Sequence, residues 1–195
     1  MNFIRNILAL LGLVLVGLAI WLGPTLYKYK SAFDGFDSQA YATYRNMMDR
    51  VVETGNAAAA TVWKVKVNSD LSFEDVDSSI KQVAIDRNIK GVGELPLGDQ
   101  VAAMTGKPWR KLKIYLYCNP LTAAKMVEYD IAYAAYLPCR VSLVEDENGD
   151  LWITTLDMDA MIHGGRPLPP ELLAEAQNVK ETMLDILNRA AEGDF

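Results

Sequence analysis

The stretch CRVSLVEDENGDLWITTL, residues 139–156, predicts a β-hairpin at the centre of the fold. Two runs rich in β-branched and apolar residues flank Asn148-Gly149, a dipeptide typical of tight hairpin turns. With a two-residue type I′ turn, Leu143 pairs with Thr154, and Ile153 lies on the other face of the sheet. A longer loop would shift the register by one residue and reverse these faces.

Two further segments, residues 61–67 and 112–118, alternate apolar and polar side chains as half-buried strands do. The positions expected to face the core are Trp63, Val65 and Val67 in the first segment and Leu112, Ile114, Leu116 and Cys118 in the second. In this interpretation Tyr115 and Tyr117 lie on the outward face. Such alternation favours an antiparallel sheet with one covered face.

Helices are expected to cover that sheet. Ser72 and Asp75 form a capping-box pattern that begins a helix, and Asn119-Pro120 begins another. Pro138 ends the helical stretch that follows, and Pro169-Pro170 opens the last helix. A near-heptad apolar stripe marks that helix: Leu172, Ala176, Val179, Met183, Ile186 and Ala190. The sequence therefore predicts an α+β fold for residues 59–195.

Residues 1–30 predict a transmembrane anchor. Ile7 to Leu22 is an unbroken apolar run, and the uncharged stretch 7–27 spans roughly 30 Å as a helix, enough to cross a bilayer. A signal peptide has a similar start, but no small-x-small cleavage site follows the run, so we expect an uncleaved anchor. Residues 31–58 predict a linker, in which Asp37 or Ser38 caps an amphipathic helix that ends at Gly55.

One side of the predicted span carries small side chains at steps of three and four residues. The stripe is Ala9, Gly12, Val16, Ala19 and Gly23. Small residues allow a second transmembrane helix to approach closely, so the stripe predicts docking on another membrane protein. The alternative is that alanine and glycine are simply common in membrane spans.

The soluble part resembles the domain-of-unknown-function family 302 over about residues 60–190. The resemblance rests on Cys118-Asn119-Pro120, on Leu137-Pro138-Cys139-Arg140, on the hairpin and on the terminal helix. It implies a TATA-binding-protein-like β-α-β4-α arrangement that is often dimeric, preceded here by the single transmembrane helix. It implies no established activity.

Cys118 and Cys139 are the chemical candidates. Cys118 directly precedes a helix cap, where amide donors and the helix dipole favour a thiolate, and Cys139 would be its resolving partner. The alternative is that both are buried and inert, with Leu156 and Met158 shielding Cys139. A soft copper site from Met158, Met161, His163 and the two cysteines is a third interpretation, weakened because methionine at such positions usually fills a core.

The remaining composition narrows the function. A formal net charge of −6 argues against non-specific nucleic-acid binding, and no catalytic or cofactor motif is present, so we expect neither an enzyme nor a bound cofactor or metal. We expect a non-catalytic accessory subunit of a larger membrane protein complex in the bacterial inner membrane, with its domain in the periplasm. The alternative is an envelope thiol-redox or sulfur-handling protein that uses Cys118 and Cys139.

Overall fold

A five-stranded antiparallel sheet forms the centre of the computed structural model, which describes residues 2–194. The strands are β1 (Val62–Lys66), β2 (Lys90–Leu95), β3 (Leu112–Cys118), β4 (Cys139–Glu145) and β5 (Leu151–Leu156). Their order in the sheet is β1-β5-β4-β3-β2, and every neighbouring pair is antiparallel.

Helices separate and follow these strands. They are α1 (Asn2–Phe33), α2 (Ala40–Thr54), α3 (Ala57–Ala60), α4 (Phe73–Asp86), α5 (Leu97–Thr105), α6 (Pro120–Tyr129), a 3₁₀ helix (Ile131–Tyr136), α7 (Asp159–His163) and α8 (Pro170–Glu192). Because α4 follows β1 and α8 follows β5, the expected β-α-β4-α arrangement is confirmed. The capping box of α4 and the Asn119 cap of α6 are formed as predicted.

The core lies between the sheet and the pair α4 and α8, which pack against each other. The predicted stripe of α8 faces this core, because all its members are buried except Val179, which is partly buried. Transfer of this much apolar surface out of water is the main stabilising term of the domain.

The predicted register of the hairpin is wrong by one residue. Leu143 pairs with Ile153, because residues 147–149 form a three-residue loop instead of a two-residue turn. Asp146 selects this loop: its carboxylate Oδ1 accepts hydrogen bonds from the backbone N–H groups of Asn148 (2.8 Å) and Asp150 (3.1 Å). Only Gly149, with φ +85°, takes the left-handed conformation, whereas a type I′ turn needs two such residues.

The predicted faces of β3 are also reversed. Tyr115 and Tyr117 point into the core and are 1% and 4% exposed, whereas Leu112, Ile114 and Leu116 lie on the opposite face. Tyr115 is accommodated because its hydroxyl donates a 2.6 Å hydrogen bond to Asp77 on α4. The tyrosine rings of β3, rather than its leucine and isoleucine side chains, therefore fill this part of the core.

The N-terminal helix α1 is long and makes no buried contact with the domain. Its 32 residues include a candidate membrane span over Phe3–Phe33 with mean hydropathy 2.4, a pattern shared by membrane anchors and signal sequences. The helix continues past the predicted anchor end at residue 30 and stops at Phe33. The linker is therefore shorter than expected, and two helices, α2 and α3, occupy most of it.

The segment between α1 and α2 is fixed to the domain. Asp37 donates its backbone N–H to the carbonyl of Gly165 (2.7 Å), and its carboxylate lies 3.3 Å from Nδ1 of the buried His163. Tyr44 on α2 donates its hydroxyl to the carbonyl of Gly164 at 2.5 Å. We call these contacts with the end of α7 the anchor clip.

Candidate functional site

The two cysteines line one apolar cleft of about 480 Å³, a volume that includes its open mouth. The cleft lies between α6, the 3₁₀ helix, α7 and α8. Its walls are Cys118, Asn119, Thr122, Ala123, Met126, Tyr133, Tyr136, Leu137, Cys139, Met158, Met161, Ala176 and Val179. Flexible methionines and tyrosine rings dominate these walls, and this chemistry suits an apolar ligand or a soft one.

Local structure places each thiol at the end of a strand. Cys118 is the last residue of β3 and precedes Asn119, whose side chain accepts hydrogen bonds from the N–H groups of Leu121 (3.1 Å) and Thr122 (3.3 Å). Cys139 is the first residue of β4 and pairs with Tyr117, so its side chain lies on the core face. The prediction that Cys118 shares the face of Leu112 and Leu116 holds, but that face is not the covered one.

The chemistry of Cys139 is that of a protected thiol. Burial raises its pKa to about 11, and the neighbouring Cys118 raises it further in the same direction. Both cysteines are free and half-buried. Since the thiolate is the nucleophile, Cys139 is almost entirely protonated and unreactive at neutral pH.

The soft metal site that the sequence left open does not assemble with all its members. Met158 and Met161 line the cleft beside the cysteines, but His163 belongs to the anchor clip, where it faces Asp37. Among residues 2–194, no three His, Cys, Asp or Glu side chains come together as a metal site. Of the five residues in that interpretation, the cleft brings together the four that carry sulfur and leaves out His163.

A second candidate site is the sheet face opposite α4 and α8, which we call the outer face. Its apolar members are Val62, Leu112, Ile114, Leu116, Val144, Trp152 and Leu156. Each of these side chains is only half-buried. Large contiguous apolar surfaces of this kind mark sites of protein interaction.

Trp152 is held in a fixed position on the outer face. Its indole Nε1 donates a 2.9 Å hydrogen bond to Asp146, and the ammonium of Lys64 lies 3.6 Å from the centre of the ring. The register expected from the sequence would put Trp152 on the core face with Leu143, whereas the observed register pairs it with Val144 on the outer face. A rigid, partly exposed tryptophan is typical of the centre of an interface.

A charged cluster that sequence reasoning missed lies at the β2–β3 edge of the core. Asp77 accepts contacts from Lys113 (2.7 Å), Lys81 (2.8 Å) and the Tyr115 hydroxyl, and Lys113 also reaches Glu94 (2.7 Å). Burial works to raise the pKa of Asp77, but its hydrogen bonds outweigh burial and hold the pKa below its usual value. Because every member has a partner of opposite charge or a hydrogen bond, the cluster serves the fold rather than chemistry.

The small-residue stripe has no packing partner among residues 2–194. Ala9, Val16 and Ala19 are exposed, and a Cβ atom built at Gly12 or Gly23 would meet no atom within 4 Å. Because α1 is one continuous helix, the spacing does put the stripe on one side. That side is free to contact another helix.

Comparison with known proteins places the soluble domain. Residues 64–190 match the model of the domain of unknown function DUF302. The domain is also similar to the crystal structure of an uncharacterized conserved protein DUF302 from Bacillus stearothermophilus, with 16% sequence identity and a TM-score of 0.53. That match covers 67% of this chain and 98% of the other, so it shows the fold, with α1 and α2 largely outside it. No curated protein matches the chain.

Proposed function

Since the chain belongs to the DUF302 family, whose description includes no activity, we propose from its own surfaces that it is a non-catalytic accessory subunit of a membrane protein complex. In this role α1 anchors the subunit in the membrane and the outer face binds another subunit. The observation that carries the proposal is the outer face, because a seven-residue apolar surface around Trp152 is left half-exposed.

Burial of the outer face would supply the binding energy. Its apolar side chains project from three central strands and one edge strand, and the polar side chains of Arg140, Ser142 and Thr154 lie among them. Lys64 and Lys66 border this surface beside Trp152, and their ammonium groups already lie against its ring. Apolar side chains combined with polar and charged ones are the usual composition of a non-obligate protein interface.

The stripe on α1 supports the same role. Within a bilayer, close packing between helices requires small side chains, and Ala9, Gly12, Ala19 and Gly23 provide them along four turns. The anchor clip then fixes the domain to the membrane-side joint through Asp37 and Tyr44. The two docking surfaces are thereby presented to one partner assembly.

The proposed location is the bacterial inner membrane, crossed once, with the domain in the periplasm. Arg5 on one side of the span and Lys28 and Lys30 on the other nearly balance in the positive-inside count, so the periplasmic placement is a proposal that needs a direct test. Accessibility of an engineered cysteine at Glu147, on the exposed hairpin tip, to a membrane-impermeant reagent in intact cells tests this placement.

The test of docking uses substitutions on the outer face with a matched control. Ile114→Lys places a charge in the centre of this face, and Met104→Lys places the same charge on a side chain that is 88% exposed on α5. In mild detergent, the native chain and Met104→Lys should migrate with a larger complex, whereas Ile114→Lys should migrate alone. Equal migration of all three would overturn the role of the outer face.

Two controls keep this result interpretable. Circular dichroism and the thermal midpoint show whether Ile114→Lys still folds, and Leu116→Lys repeats the test on the same strand. If the purified native chain forms a homodimer through this face, the two lysine variants become monomeric without any other protein, and the proposed partner is wrong.

We propose a thiol function as the second candidate because Cys118 and Cys139 line the same cleft. In this role the envelope protein would handle sulfur or redox equivalents through the pair. Because the pKa of Cys139 is high, Cys139 is a poor nucleophile, and Cys118 would be the thiol that reacts first with a substrate.

This candidate has its own test. Reaction of the folded chain with a thiol-specific disulfide reagent should give a transient mixed disulfide at Cys118, which Cys139 resolves to a Cys118–Cys139 disulfide with release of the reagent thiol. Cys139→Ser should trap that mixed disulfide. If neither cysteine reacts until the protein unfolds, the thiol function is excluded.

A further inference from the structure

An exposed apolar surface lies beside the cleft and shares Tyr136 with its wall. Residues 131–139 contain no charged side chain, although most of them are on the surface. Ile131 is 81% exposed and Leu121 on α6 is 78% exposed, and Tyr129 and Tyr136 are also exposed. We call these four residues the 3₁₀ surface. Exposure of so many apolar side chains to water is unfavourable for a short segment, so we expect this surface to bind something.

Contacts connect this surface to the end of the membrane anchor. The hydroxyl of Tyr133, at the centre of the 3₁₀ helix, donates a 3.1 Å hydrogen bond to the carbonyl of Met161 on α7. Helix α7 ends at His163, which faces Asp37 in the anchor clip. The 3₁₀ surface and the anchor joint are thus attached to two sides of one five-residue helix.

The anchor helix also limits how far the domain stands from the bilayer. If the uncharged stretch ends at Tyr27, residues 28–33 of α1 extend about 9 Å beyond the hydrocarbon. Asp37 follows Phe33 closely, and the intervening chain reaches at most about 14 Å. Since Asp37 is fixed to His163 and Gly165, the α7 side of the domain is held within about 23 Å of the hydrocarbon, so its surface is within reach of the bilayer.

We propose that the 3₁₀ surface lies in the membrane interface and contacts lipid directly, with Ile131 and Leu121 at the acyl boundary and Tyr129 and Tyr136 among the headgroups. This inference rests on the proposed function only in taking α1 as a membrane span. Tyrosine suits such a place because its ring is apolar and its hydroxyl is hydrated. The cleft mouth, bordered by Tyr136, would then open toward lipid rather than toward bulk water.

Lipid fits this surface better than a protein partner does. The segment between Asp130 and Arg140 has aliphatic and aromatic groups but no charge, and Lys125 on α6 is already paired with Glu171 and Glu175. The outer face, by contrast, carries Lys64, Lys66 and Arg140 beside its apolar side chains, and these cations can pair with a protein partner. The 3₁₀ surface would therefore contact lipid, and the outer face would bind another subunit.

Photo-cross-linking of the full chain in lipid vesicles tests the inference. The photoreactive residue p-benzoylphenylalanine replaces Ile131, Met104 or Leu15 in separate preparations, and the vesicles contain only phosphatidylethanolamine, phosphatidylglycerol and this protein. Leu15 lies in the span and reports on the anchor, and Met104 is an exposed apolar control on α5. Thermal midpoints of the three proteins confirm that the domain is folded.

We expect lipid adducts at position 131 and position 15 and none at position 104. Lipid adducts at 15 but none at 131 overturn the lipid contact and leave the anchor intact. Adducts from position 131 to a second copy of the chain also overturn it, in favour of self-association. If position 15 gives no lipid adduct, the anchor itself fails, and the proposed function fails with it.

Discussion

Replacement of Ile153 by alanine tests the sheet register most sharply. Ile153 is fully buried, and it pairs with Leu143 on β4 and Val65 on β1 in the centre of the core. Truncation of such a side chain removes its transfer free energy and leaves a cavity, which together cost about 3 kcal/mol within a range of about 2–5 kcal/mol. For a chain of this size, that loss lowers the thermal midpoint by roughly 6–12 °C.

The matched variant is Val144→Ala, which lies on the neighbouring strand but on the outer face. Because Val144 is only half-buried, its truncation should cost less than about 1 kcal/mol. Tryptophan fluorescence of the full chain in detergent, followed through urea and thermal unfolding, measures both variants. If Ile153→Ala destabilises no more than Val144→Ala, the hairpin has the other register and the assignment of the two faces is wrong.

Three further measurements test other parts of the account. Because its folded-state pKa is lowered, Asp77 stabilises the fold above the unfolded carboxyl pKa of 3.8, and this contribution is lost as the pH falls through the folded pKa. Unfolding free energies of the native chain should therefore drop below about pH 4, and Asp77→Asn should flatten that drop, whereas an unchanged pH profile would contradict the cluster. Alkylation of Cys139 by iodoacetamide should accelerate with pH up to about 11, and a plateau near neutrality would refute its protected state. Gly98→Ala brings a Cβ atom 2.6 Å from the carbonyl of Arg110, so it should destabilise the fold by more than about 1 kcal/mol, measured by urea unfolding; a neutral effect would disprove this close contact.

Local signals predicted the helices well because their determinants are local. Ser72 and Asp75 exchange hydrogen bonds within a single turn, and Asn119 caps α6 from the adjacent residue, so no tertiary contact is needed to place either helix start. The stripe of α8 likewise depends on spacing alone. The family resemblance over the domain then supplied the β-α-β4-α arrangement, which periodicity does not determine.

The sheet faces were mispredicted because they depend on tertiary partners. In β3, leucine and isoleucine alternate with lysine and tyrosine, and hydrophobicity alone favours Leu116 over Tyr117 for the core. The decisive partner is Asp77, which lies more than thirty residues earlier on α4 and satisfies the Tyr115 hydroxyl. A side-chain hydrogen bond across that separation has no signature in the pattern of the strand.

The hairpin register shows how one side chain changes a whole surface. Asn148-Gly149 predicted a two-residue turn, but the carboxylate of Asp146 recruits two backbone N–H groups and stabilises a three-residue loop. This shift moves Trp152 from the core to the outer face. The candidate docking surface was therefore hidden in the sequence, while the two thiols, which are adjacent to recognisable motifs, were found.

The most direct test of the accessory-subunit role is the size of the assembly that the native chain forms in mild detergent. The measurement compares the native chain with Gly12→Leu/Ala19→Leu, which fills the stripe on α1, and with Gly17→Leu, which adds a leucine away from the stripe. We predict that the native chain and Gly17→Leu migrate in one large complex and that the stripe variant is released from it. Migration of the native chain alone, with no dependence on the stripe, would contradict the account.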